Sequence, residues 1–234
     1  LNGLDNMRLD YTSGNWNFAA DYQRHFTDGE SRFDGMANPI LGMMSNAVSS
    51  DAVYESGRWA FGGRVYSGAI TDETMLDSDP TLASQYEPAR LGLMQGAQSD
   101  ISWQGEKFGF TSSVGAAYET NTLLGAQTGG LLDMGNGRTT YVDTEFRYSP
   151  IEDVMLKLRS TFARTVTDAQ GQFILGISDI NSNAFAFGVD AGNFSFSVSQ
   201  PLSVSAGSLQ YPYADYDIVD LGDGKYDLSV TDMH

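Results

Sequence analysis

Apolar and polar residues alternate along most of this chain with a period of two, the spacing that places successive side chains on opposite faces of a β-strand. In residues 15–22, Trp16, Phe18, Ala20 and Tyr22 share one face, and Asn15, Asn17, Ala19 and Asp21 share the other. Trp59, Phe61 and Val65 stand against Arg58, Ala60, Gly62 and Arg64 in the same way. Phe108, Phe110, Val114, Ala116 and Tyr118 oppose Lys107, Gly109, Thr111, Ser113 and Glu119. Further on, Val142, Thr144, Phe146 and Tyr148 alternate with Tyr141, Asp143, Glu145 and Arg147, and Val154, Leu156, Leu158 and Phe162 with Lys157, Arg159 and Thr161. The clearest hairpin joins Phe185, Phe187 and Val189 to Phe194, Phe196 and Val198 through Ala191-Gly192-Asn193.

Weaker alternation at 7–11, 91–103, 208–213 and 225–230 brings the expectation to about eleven strands. Turn residues punctuate them at Ser13-Gly14-Asn15, Gln104-Gly105-Glu106, Gly135-Asn136-Gly137 and Gly222-Asp223-Gly224. Three stretches lack alternation, 27–55, 71–88 and 121–132, and the last two suit surface loops. Within the first, Asn38-Pro39-Ile40-Leu41-Gly42-Met43-Met44 is apolar enough for a short helix or a segment packed inside the sheet.

Composition narrows the class. The chain has 234 residues, which fits one large β domain spanning 1–234. No run of residues is apolar for long enough to predict a transmembrane helix. There is no Cys, so disulfides, thiolate chemistry and Cys-ligated metals are out of reach. A net charge of −17, with 13 Lys and Arg scattered along the chain, excludes a nucleic-acid partner, which needs a basic face. Residues 1–5 lack a basic and apolar leader, and the chain reads as a fragment of something longer.

Alternation shows a two-faced sheet without saying which face meets water. A soluble sandwich turns its aromatics inward, whereas a membrane barrel turns them outward. Two features favour the barrel. The polar faces combine Gly, Ser, Thr and Ala with isolated charges, which suits a crowded lumen. Asp143, Glu145, Arg147, Lys157 and Arg159 are the candidate lumen charges, with Arg164 nearby, and pairing across neighbouring strands is preferred for them over a peptide-holding role. In addition, Tyr11, Trp16, Trp59, Tyr118 and Tyr148 fall near strand ends, where an aromatic girdle would lie.

In the C-terminal third, the run Gly176-Ile177-Ser178-Asp179-Ile180-Asn181-Ser182-Asn183-Ala184-Phe185-Ala186-Phe187-Gly188-Val189 precedes Phe194-Ser195-Phe196-Ser197-Val198-Ser199-Gln200-Pro201-Leu202-Ser203-Val204-Ser205-Ala206-Gly207. This pair resembles the C-terminal barrel region of autotransporter-like subtilisin-family serine peptidases, in which a "SxAFAxG" strand is followed by a "QPLxVxxG" strand. Glu119-Thr120-Asn121-Thr122-Leu123-Leu124-Gly125-Ala126 is similar to that family's "LLGS" stretch, and Asn38-Pro39-Ile40-Leu41 to its "NPYL" stretch. The resemblance implies an outer-membrane β-domain behind a secreted peptidase passenger, on the surface of a diderm bacterium. It also implies final strands beyond His234, so that this chain need not complete a barrel.

No catalytic constellation accompanies these strands. A subtilisin-type site needs a nucleophilic Ser, a His and an Asp in recognisable contexts. Here the only histidines are His25 and His234, and neither sits in such a motif. Residues 220–227 have the flavour of a Ca²⁺ loop but lack its ligand spacing and carry Lys225, so a hairpin turn is the simpler reading. Asp77-Ser78-Asp79-Pro80 reads as a solvated loop, and no dinucleotide fingerprint, P-loop or HExxH motif occurs.

The expectation is therefore an all-β antiparallel up-and-down barrel of about 10–12 strands. Its role would be non-catalytic and cofactor-free, anchoring or translocating a passenger polypeptide in outer-membrane lipid. Two alternatives stay open. One is a soluble, acidic extracellular module binding protein or carbohydrate through Trp16, Trp59 or Trp103. The other is a structural piece of the cell surface.

Overall fold

Strand pairing follows the alternation along the chain. The computed structural model describes residues 6–25, 38–70, 92–124, 126–127, 135–168, 176–210, 214–222 and 225–233. Its first strands are β1 (Asn6–Ser13), β2 (Trp16–His25), β3 (Ser45–Ser56), β4 (Trp59–Ile70), β5 (Gly92–Gln104) and β6 (Phe108–Thr120). A two-residue pair, β7 (Thr122–Leu123) and β8 (Ala126–Gln127), precedes β9 (Gly137–Tyr148) and β10 (Val154–Thr167). Then come β11 (Gly176–Ile177), β12 (Ile180–Ala191), β13 (Phe194–Ala206), β14 (Leu209–Gln210), β15 (Ala214–Gly222) and β16 (Lys225–Met233).

Ten of these form one antiparallel up-and-down sheet in the order β1-β2-β3-β4-β5-β6-β9-β10-β12-β13. Among the described residues β1 and β13 are its edges, and β15–β16 form a hairpin of their own. Three hairpins of the sheet close through two residues with Gly first at positive φ: Gly14 (59°), Gly57 (62°) and Gly192 (56°). That is the backbone a type II′ turn demands, and its twist matches that of the flanking strands. The turns after β1, β3, β5, β9 and β12 are short and share one end of the sheet, hereafter the turn end. Connections after β2, β4, β6 and β10 are longer and share the other, the loop end.

Several sequence expectations change. The stretch 27–55, read as lacking strands, contains β3 from Ser45 onward; both its faces carry small residues, such as Ala47, Ser49, Ser50 and Ala52, so alternation is faint there. Residues 121–132 include β7 and β8. Gly135-Asn136-Gly137 leads directly into β9 rather than closing a hairpin. Of the 208–213 expectation, Leu209–Gln210 is extended and pairs with Gly176–Ile177, and residues 211–213 lie outside the described residues. β15 went unread because acidic residues interrupt its apolar ones. Gly222 pairs with Lys225, which fits the hairpin reading of 220–227. Residues 71–88, with Asp77 to Pro80, lie outside the described residues, as does His234.

The sheet curls around an interior at its loop end. Buried Ile40, Leu41 and Met44 lie on a short 3₁₀ turn before β3 and pack with Ala47, Tyr66, Ile70, Met94, Ala117, Tyr141 and Ala163 from β3, β4, β5, β6, β9 and β10. Leu202 of β13 packs against the same cluster. The expectation that 38–44 forms a short helix or lies inside the sheet is thus met in both respects.

Candidate functional site

The two faces of the sheet are inverted relative to a water-soluble fold. Large apolar side chains are exposed on the outer face of successive strands: Phe18, Val48, Phe61, Val65, Leu93, Val114, Val142, Phe146, Leu158, Phe162, Phe185 and Phe187 among them. Buried on the inner face are Asp21, Arg64, Asp100, Glu119, Asp143, Glu145 and Arg159. Soluble proteins bury charge rarely and keep exposed apolar patches small. Along β6 the outer face reads Phe108, Phe110, Ser112, Val114, Ala116, Tyr118 and Thr120, with no ionised group. β5 behaves alike with Leu93, Gln95, Ala97, Ser99, Ile101 and Trp103. Outward charges occur at the loop end, as Arg138 and as Arg164, which pairs with Asp179.

Aromatic residues collect on the outer face near the turn end. Trp16, Trp59 and Tyr148 lie beside hairpin turns and are exposed, as is Tyr11 two residues before the first turn ends β1. They touch neighbours outside the candidate girdle: Trp16 meets Tyr54 at 5.1 Å between ring centroids, Tyr148 meets Phe108 at 4.6 Å, and Trp59 meets Phe110 at 6.0 Å. Trp103 stands opposite Trp59 in register. Tyr118 belongs to the opposite, loop end of β6. The missed residues share one signal, an aromatic within three positions of a hairpin turn.

Inside, the turn end is filled by charges. Arg159 grips Asp143 with two bonds, Nε to Oδ1 at 2.9 Å and Nη2 to Oδ2 at 2.5 Å, and Thr161 Oγ1 donates to Oδ1 at 2.6 Å. Thr161 is directly opposite Asp143, while Arg159 is opposite Glu145, so the Arg159 pair runs diagonally. Glu145 accepts from Arg147 Nε at 2.6 Å, two residues along the same strand. Lys157 reaches Asp190 on the next strand at 2.8 Å. All five charges therefore share the inner face; Asp143–Arg159 and Lys157–Asp190 pair across neighbouring strands as expected, whereas Glu145 and Arg147 pair along one strand. On the far side of the sheet Arg8 donates to Asp21 at 3.1 Å and Asn17 to Glu55 at 3.1 Å. A charge taken from water costs several kcal/mol unless it is matched in this manner, about 3–5 kcal/mol being exposed when one partner is removed.

Towards the loop end the filling becomes apolar and aromatic. Tyr66 on β4 stands opposite Gly96 on β5, and Tyr141 on β9 opposite Gly115 on β6. A Cβ at Gly96 would fall 2.5 Å from the Tyr66 hydroxyl oxygen, and one at Gly115 would fall 2.3 Å from the Tyr141 ring. Each ring thus lies flat across its neighbour, where only glycine leaves room, an arrangement that helps curved sheets fill their own surface. From opposite sides the two hydroxyls meet at 3.3 Å, and Tyr141 Oη donates to Gln98 Oε1 at 2.9 Å. This clamp ties β4, β5, β6 and β9 together across the inner face.

Above the clamp sits the strap 38–44. Its turn is closed by bonds from Gly42 N to Asn38 O (2.9 Å) and from Met44 N to Leu41 O (3.1 Å), while Asn38 Oδ1 accepts from Ile40 N at 2.9 Å. Backbone groups satisfied within a segment let it enter an apolar interior. Burial of Ile40, Leu41 and Met44 stabilises the position by about 1.5–3 kcal/mol per side chain.

Among the described residues no group of three or more His, Asp or Glu side chains is arranged to hold a metal ion. Among the described residues no helix is long and apolar enough to cross a membrane. The chain matches no protein-family model and no curated protein.

Proposed function

We propose that this chain is the membrane-spanning β-domain of an outer-membrane protein, and that it anchors or translocates a secreted passenger without turnover of its own. The supporting observation is the inverted sheet: an uncharged outer band of Phe, Val, Leu, Trp and Tyr, with the Asp143–Arg159 and Glu145–Arg147 pairs buried behind it. Lipid rewards that arrangement and water penalises it. Height agrees as well. Phe108 and Tyr118 bound the outer face of β6 ten residues apart, about 33 Å along a strand and about 25 Å across the bilayer once a typical tilt is applied.

A lipid-facing sheet tolerates no open edge, because unpaired backbone groups find no water there. In this reading the β15–β16 hairpin joins β13 and returns to β1. Apolar residues of the two strands are already in register, Tyr216 with Val230 and Ile218 with Leu228. Twelve strands would result, an even number as bacterial barrels use. The passenger is proposed from the family resemblance alone, as a subtilisin-like peptidase held at the cell surface; any peptide chemistry belongs to it.

Val114, halfway along the outer face of β6, provides the test. Refolded into liposomes, the chain should migrate on gels differently before and after boiling, and Val114→Arg should cost about 2–4 kcal/mol in urea unfolding. A chain that is monomeric and melts cooperatively in detergent-free buffer, with Val114→Arg equally stable, refutes the membrane reading.

A further inference from the structure

The interior wall is built of small residues where the strap lies. Gly68, Gly92, Ala47, Ala117 and Ala163 line that level, and at Gly68 an added Cβ would come 2.9 Å from Ala47 Cβ and 3.1 Å from Met44 Cβ. At the turn end the wall fills itself with long charged side chains; at the loop end it leaves room, and Ile40, Leu41 and Met44 occupy it. Just below, the interior surface is polar, with Gln98, Asp100, Ser113, Asp143 and Thr161 facing inward. Such a surface suits water and hydrated solutes rather than a dry core.

We propose that residues 38–44 are a removable plug, and that this domain is a conduction path for small hydrated solutes held shut by Ile40, Leu41 and Met44 against the Tyr66–Tyr141 clamp. The proposal rests on the membrane reading above. Two features suit the strap to this role. Its turn is closed by hydrogen bonds within 38–44, so the turn travels as a unit. Ile40, Leu41 and Met44 meet the wall through buried apolar surface, a non-directional contact that releases without breaking the strand ladder. Hydrophobic constrictions gate pores in this way, by excluding water until the apolar side chains move aside. An extended passenger segment entering the same interior would have to displace the strap first, so anchoring with the plug seated and export with it displaced become two states of one interior.

The experiment is conductance of the chain inserted in planar bilayers and liposomes, compared with Ile40→Ser/Leu41→Ser. The native chain should be closed for most of the record, and the double variant should raise open time at least about tenfold. Because polar substitutions here also threaten folding, Leu41→Cys gives a second reading. The chain has no native Cys, and Leu41 is fully buried, so its thiol should resist a water-soluble maleimide in liposomes and react after denaturation. Equal conductance of the native chain and a folded double variant, or a Leu41→Cys thiol that labels as fast as an exposed one, overturns the plug alone. A chain that stays outside liposomes overturns the barrel reading and the plug together.

Discussion

The interior of this sheet is filled by two different chemistries at its two ends. At the turn end, strands β9, β10 and β12 contribute Asp143, Glu145, Arg147, Lys157, Arg159 and Asp190, and the space is closed by the Arg159–Asp143 and Lys157–Asp190 pairs between adjacent strands and by the Arg147–Glu145 pair along β9. At the loop end, Gly and Ala stand in the wall beside Tyr66, Ile70, Met94 and Tyr141, and a segment from outside the ladder supplies Ile40, Leu41 and Met44. Strands β9 and β10 present their inner face to both ends. The difference teaches that small wall residues mark a place reserved for something else, whereas long paired charges mark a place the wall closes for itself. The Tyr66–Tyr141 clamp lies at the boundary between the two.

Removing a partner at the charged end should have the largest effect. Arg159→Ala leaves the Asp143 carboxylate buried without its guanidinium partner while Thr161 still donates to it, and a loss of about 3–5 kcal/mol is expected in urea unfolding. Replacing both members, Arg159→Met with Asp143→Leu, should recover most of that loss, because the cost is an unmatched charge rather than lost volume. A single variant as stable as the native chain would show that water reaches this end freely.

At the apolar end Leu41→Ala should cost less on average, about 2–4 kcal/mol, by removing buried methyl groups and leaving a cavity. No double substitution in the wall of the kind used for Arg159 should restore it, since no charge is stranded. An effect below about 0.5 kcal/mol, the size of an ordinary surface change, would show that the strap is not held by the wall.

The smallest expected effect is at the boundary. Gly115→Ala places a methyl group against the Tyr141 ring, and overpacking of this order costs about 1–3 kcal/mol. Gly115→Ala combined with Tyr141→Ala should cost less than the sum of the two single changes, because the second removes the obstacle to the first; a double-mutant cycle in the same unfolding assay measures it.

Much of the fold was legible in the alternation. The outer positions of β2, β4, β6, β9, β10, β12 and β13 follow the period-two pattern, and the five inner charges from Asp143 to Arg159 share the face that parity assigns them. β3 was not legible, since Ser49, Ser50 and Ala52 give neither face a hydrophobic mark. Of the candidate girdle, Trp16, Trp59 and Tyr148 were placed near turns by sequence, but their partners Tyr54, Phe108 and Phe110 needed the register. The strap stood out as an apolar run; that it fills the loop end did not.

By itself the sequence determined which side chains share a face, because that follows from the local geometry of an extended backbone, repeated every two residues. Tertiary structure alone decided which face is buried, that Lys157 finds Asp190, and that Tyr66 meets Tyr141 across 75 positions of chain. Those outcomes depend on register and curvature. Both are sums over many strand pairings, and no local stretch of sequence contains them.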